Sequence, residues 1–124
     1  MITIGDVYRI RMDQSDGIKP KGNDLFRYKY IIIIGYDGRN YYGAVTTNTK
    51  DHHLVPFEFQ YPLKLQEYNC FANCYQLYQV SSTRLTSDCC KGKITDDDLE
   101  LIIGCVKNSP IIHKNLLKRY DITE

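Results

Sequence analysis

The residues of this chain that could do chemistry fall into three groups. The first is five cysteines, with Cys70 and Cys74 four apart, Cys89 and Cys90 adjacent, and Cys105 in a helical pattern. A zinc site needs two close pairs converging on one tetrahedral ion, and neighbouring cysteines rarely both reach it. These thiols are therefore expected to be free and to behave as small hydrophobic residues in a reducing compartment. The second group is His52-His53 with the block Asp96 to Asp98. No carboxylate or thiol lies at chelating spacing from the histidines, and the aspartates suit the start of a helix. No metal and no cofactor are expected. The third group is cationic. Residues 1–50 hold eight Lys or Arg against five Asp or Glu, although the whole chain carries only +1. That excludes a polybasic arm and leaves a local patch as the place to meet phosphates. Within it, Arg27 and Lys29 share one face of a strand, beside a polar loop over 12–24.

The elements that must position these groups are mostly strands. Residues 3–11 alternate as a first strand, with Ile4, Tyr8 and Ile10 on one face and Val7, Arg9 and Arg11 on the other. Phe26 to Tyr36 contains four consecutive isoleucines, as a strand buried on both faces requires. Asp37-Gly38 is a hairpin turn, and Asn40 to Thr47 is the return strand. Further strands are expected over 54–60, with Pro56 marking an edge, over 72–81, and over 91–94. The period then changes. Thr95 caps a helix whose apolar side is Leu99, Ile102, Ile103 and Val106, running to Asn108. Ser109-Pro110 is expected to open a second helix over 110–120.

At 124 residues the chain fits a single domain, a barrel over about 3–94 followed by helices at 95–108 and 110–120. Strands first and helices last give an α+β fold, mainly β, built as a small, strongly bent antiparallel sheet. The opening Met1-Ile2-Thr3-Ile4-Gly5-Asp6 has no basic start and no long apolar core, and the longest aliphatic run is Ile31 to Ile34. A cytoplasmic chain without membrane contact is the expectation. P-loop, GxSxG and HExxH motifs are absent.

Several pieces follow one another in a telling order: Gly5-Asp6 opening the first strand, Arg27-Tyr-Lys-Tyr-Ile-Ile-Ile-Ile, Val45-Thr46-Thr47-Asn48, Leu54-Val-Pro-Phe-Glu-Phe, Tyr78-Gln79-Val80, and Gly92-Lys-Ile-Thr95 before a helix. In that order and spacing, residues 3–108 resemble the MazF/PemK family of toxin endoribonucleases. The resemblance implies an SH3-like barrel, a homodimer, an antitoxin protein as inhibitor, and metal-independent cleavage of single-stranded RNA. It implies Lys29 and Thr46 as catalytic residues, with Lys29 standing where an arginine is usual. Arg27, Lys19, Lys21, Thr47, Asn48 and Gln79 would contact RNA. The 2′-hydroxyl would attack the adjacent phosphorus while the protein aligns it and stabilises phosphate charge. The alternative is an SH3-like module that binds RNA or a peptide without cutting. Lys29 in place of arginine, and Ser81-Ser82-Thr83 where the family has an Arg-Thr-Ile-Asp-like segment, favour that alternative.

Overall fold

The computed structural model describes residues 1–16, 18, 22–47, 55–65 and 67–120. Among these residues seven strands occur: β1 (Asp6–Met12), β2 (Arg27–Tyr36), β3 (Asn40–Thr47), β4 (Gln60–Leu65), β5 (Tyr68–Asn73), β6 (Tyr78–Ser81) and β7 (Cys90–Lys93). Helices α1 (Asp96–Lys107) and α2 (Lys114–Arg119) follow them. The strand order is β4-β5-β3-β2-β1-β7, with every described pairing antiparallel. Strand β3 bends the sheet because one of its edges is shared. Asn40 to Gly43 pair with β6, whereas Thr46 and Thr47 pair with β5. The result is a curled half-barrel with C-terminal helices, an α+β fold that is mainly β.

The four isoleucines of β2 explain why the sheet has two buried sides. Ile32 and Ile34 join Val7, Ala44, Ala72, Ile102, Val106, Leu117 and Tyr120 on the helix-covered side. Ile31 and Ile33 join Tyr8, Ile10, Met12, Val45, Val80 and Leu85 on the other. Each fully buried isoleucine contributes roughly 1.5–3 kcal/mol of transfer free energy. The run Ile31 to Ile34 can be apolar throughout because neither face of β2 meets water there. Gly43 lets β3 lie close to it: a Cβ there would stand 2.5 Å from Ile31 Cγ1 and 2.7 Å from the Ile32 carbonyl oxygen.

The hairpin forms as the sequence implies. Gly38 has φ +92°, and one Asp37 carboxylate oxygen accepts from the Arg39 and Asn40 amides at 2.8 and 2.7 Å. The first helix also starts where Thr95 predicts, its hydroxyl accepting from the Asp98 amide at 3.1 Å.

Three expected elements differ. The segment expected as a strand over 54–60 holds instead a short 3-10 turn at Phe57–Phe59, opened by Pro56, whose carbonyl accepts from the Phe59 amide at 2.9 Å. The strand begins at Gln60, Leu54 lies outside the described residues, and it is Pro62 that sits on the edge strand β4. The expected strand over 72–81 is two strands. Asn73 breaks it by accepting from the Tyr75 amide at 2.9 Å, so β5 pairs with β4 while β6 pairs with the other half of β3. The last helix starts at Lys114 rather than at Pro110. Ser109 donates to the Tyr75 carbonyl at 2.6 Å, and His113 is the cap, its Nδ1 accepting from the Asn115 amide. Among the described residues, no helix is long and apolar enough to cross a membrane.

Candidate nucleic-acid interface

Lys29 and Arg27 lie opposite Ile10 and Met12 of β1, on the face that carries Ile31 and Ile33. Side chains alternate along a strand, so Val45 and Thr47 of β3 share that face and Thr46 points to the other. The Lys29 ammonium donates to the Thr46 main-chain carbonyl at 3.2 Å. The Thr46 side chain is elsewhere: Thr46 is 4% exposed, and its side chain hydrogen-bonds the Cys70 thiol on the helix-covered side. Burial pushes that thiol up, partly offset by the Leu65 backbone and Thr46. The structure thus brings Lys29 to the Thr46 backbone and to the face of Arg27 and Thr47, and separates it from the Thr46 hydroxyl.

Gln79 is remote from this group. It is exposed on β6 opposite Tyr42, four residues from Thr46, which is roughly 13 Å along β3. Lys19, Lys21 and Asn48 lie outside the described residues. Arg84 has a structural task. Its guanidinium grips the Asp16 carboxylate with two bonds, at 2.7 and 3.2 Å, and also donates to the Arg11 carbonyl. That fork ties the Gln14–Asp16 turn to the end of β1.

The opposite face of the same two strands carries a different pattern. β1 presents Arg9 and Arg11, and β2 presents Tyr28 and Tyr30, with Phe26 just before it. Arg9 pairs with Tyr30 and Arg11 with Tyr28 in the backbone register. Each guanidinium leans to the next ring along: Arg9 lies 4.4 Å from the Tyr28 centroid and Arg11 4.5 Å from that of Phe26. Phe26 and Tyr28 meet edge to face at 5.6 Å. Cations and rings therefore alternate in a ladder, with Arg9 and Arg11 exposed and Tyr28 51% exposed. Such a surface offers guanidinium groups to phosphates and ring faces to unpaired bases.

The ladder has a cavity at each end. Arg9, Arg11 and Tyr28 border an open cleft of about 450 Å³ with Arg84, Asp13, Asp16 and Cys89. Hydrogen bonds from Ser15, helped by Arg84 and Arg11, hold the Asp13 carboxyl below its ordinary range. At the other end Tyr30 and Val7 border a smaller pocket with Lys64, Lys91 and Lys93. Arg9, Arg11, Phe26, Tyr28 and Tyr30 were not among the residues the sequence singled out. Their signal is there in retrospect, as an Arg-x-Arg facing a Phe-x-Tyr-x-Tyr, both at period two. Only the β1–β2 register makes neighbours of them.

Among the described residues, no three His, Cys, Asp or Glu side chains gather as a metal site would require. No family model matches this chain, and no curated protein sequence matches it either.

Proposed function

We propose that this chain binds single-stranded RNA along the ladder of Arg9, Tyr28, Arg11 and Phe26. The observation that carries the reading is the stacking of two exposed arginines on aromatic rings at 4.4 and 4.5 Å, at the strand period. Duplex bases are already stacked and paired, so exposed rings favour unpaired ones. A cytoplasmic chain with free thiols accords with that partner. The test is titration of a labelled, unstructured RNA and of the same sequence as a duplex, across a range of salt. Tighter binding of the single strand is expected, with affinity falling as salt rises; Arg9→Ala and Arg11→Ala should each flatten that salt slope by about one phosphate contact. Equal binding of the duplex, or no change of slope, refutes the reading.

A second reading adds cleavage, as in the MazF/PemK toxins. It is favoured by Lys29, Arg27 and Thr47 sharing one face where β2 and β3 end together, with the Lys29 ammonium held 3.2 Å from the Thr46 carbonyl. In that reading the RNA 2′-hydroxyl gives up its proton and attacks the adjacent phosphorus, the bond to the 5′-oxygen breaks to leave a cyclic phosphate and, once protonated, a 5′-hydroxyl, and Lys29 stabilises the phosphate charge. A threonine hydroxyl on the same face would come from Thr47 more readily than from Thr46, which meets Cys70. The reading brings with it a homodimer and an antitoxin protein as partners. Incubation with a long RNA in excess chelator tests it, with ends mapped for wild type, Lys29→Ala, Thr46→Ala and Thr47→Ala. Cleavage lost in Lys29→Ala supports it; an RNA bound but left intact by the wild type rejects it.

A further inference from the structure

The smaller of the two cavities closes the ladder at its Tyr30 end. It measures about 190 Å³, the share of roughly six waters. Its walls come from three places: Lys64 and Leu65 of β4, Lys91 to Lys93 of β7, and Ile94, Thr95 and Asp98 at the start of α1. Lys64, Lys91 and Lys93 thus line the pocket together with one acidic residue, Asp98. That carboxylate is engaged, because the Tyr61 hydroxyl donates to Asp98 at 2.9 Å. Lys64 pairs with Glu67 at 3.7 Å, and the Glu67 side chain is 91% exposed. A pair so open to water holds Lys64 weakly. The stem of Lys93 crosses Gly5, where a Cβ would stand 3.3 Å from Lys93 Cε, and Gly5 takes φ +98°. The bare glycine leaves room for the lysine stem to lie across the backbone.

Beyond the pocket the sign of charge reverses. Asp96, Asp97 and Asp98 occupy the first turn of α1. A polyanion following the ladder meets cations from Arg11 through Arg9 to the lysines, then the acidic first turn of α1, of which Asp98 lines the pocket itself. A strand is favoured up to the lysines and repelled after them. We propose that the pocket between β4, β7 and the start of α1 seats the terminal phosphate of the RNA strand that lies on the ladder. The inference rests on the RNA reading above for the identity of its ligand. A terminal phosphate carries more charge than an internal one and needs no onward path. Lys64 and Lys93 supply point charges, and the Thr95 hydroxyl, which accepts from the Asp98 amide, keeps its own proton to donate.

The experiment compares one short RNA in three forms: 5′-phosphate, 3′-phosphate, and hydroxyl at both ends. One of the phosphorylated forms should bind about five- to tenfold tighter than the unmodified strand, the sum of a few exposed charge pairs. The preferred end gives the direction in which the strand lies. Lys64→Ala and Lys93→Ala, on different strands, should each reduce that preference, read as the ratio of the Kd for the unmodified strand to that for the phosphorylated one. A parallel titration with inorganic phosphate alone should shift the amide resonances of Gly92 and Thr95. RNA bound with equal affinity in all three forms overturns the phosphate seat and leaves the ladder standing. Phosphate shifts at Gly92 and Thr95 without any RNA binding keep the seat and overturn the RNA reading. Neither effect overturns both.

Discussion

Replacing Tyr28 by alanine separates a binding surface from an ordinary strand face. The ring is half exposed, is covered on one side by the Arg9 guanidinium at 4.4 Å, and meets Phe26 edge-on at 5.6 Å. Its removal from the free protein sacrifices an exposed cation–π contact, about 0.5–1 kcal/mol, and one aromatic pair, about 0.5–1.5 kcal/mol. Those losses are small beside a net stability of about 5–15 kcal/mol, so the variant stays folded. The cost to RNA binding is calculated separately. A stacked base is worth about 1–3 kcal/mol, and Arg9 already covers one face of the ring. The loss therefore belongs in the lower part of that range, about 1–2 kcal/mol, or about 5- to 30-fold in Kd. Tyr28→Phe keeps the ring and should stay within about twofold of wild type. Fluorescence anisotropy with an unstructured RNA at fixed salt reads all three proteins, and circular dichroism confirms that each is folded. Wild-type affinity in Tyr28→Ala refutes the stacking argument. So does an equal loss in Tyr28→Phe, which would assign the effect to the hydroxyl.

Other perturbations test the fold that holds the ladder in place. Gly43→Ala forces a methyl against Ile31 and the Ile32 backbone, and should lower stability by at least about 1–3 kcal/mol in denaturant titration, as overpacking does. The Arg84–Asp16 fork joins side chains that are 33% and 12% exposed. A double-mutant cycle with Arg84→Ala and Asp16→Ala should give a coupling of about 1 kcal/mol or more, well above an open surface pair, and a value near zero would show that the Gln14–Asp16 turn holds without it. Burial, with Asp37 beside Tyr120 and Asp6 beside Tyr8, pushes both phenols up to about 12 from 10.0. The folded state thus prefers their neutral forms. Their contribution is complete below pH 10 and is lost as pH rises from about 10 to about 12, so unfolding midpoints should fall across that window; Tyr120→Phe should flatten the fall.

How much could be read before folding depends on the range of the interaction that decides each feature. Four isoleucines in a row, Asp37-Gly38, and Thr95 before three aspartates are local signals. Each fixes its own backbone through burial on two faces, an Asx-type turn, or a helix cap, and each appears where the sequence places it. The failures arise where a local signal had two possible partners. Ser109 has the chemistry of a helix cap but donates to the Tyr75 carbonyl, which only tertiary packing brings near. Residues 72–81 alternate like one strand, yet Asn73 and the split edge of β3 divide them between two neighbours.

The site follows the same rule. The sequence by itself determined that the first half is basic, that Arg27 and Lys29 share a face, and that Arg9 and Arg11 share another. It could not determine which rings or hydroxyls would lie beside them, because that depends on strand register, and a one-residue slip exchanges the two faces of a strand. The packing of Ile31 and Ile33 on one side and Ile32 and Ile34 on the other sets that register. It places the Thr46 side chain against Cys70 and away from Lys29, and it lays Arg9 and Arg11 over Tyr28 and Phe26. Residue types supplied the charges and rings; long-range burial decided which of them meet.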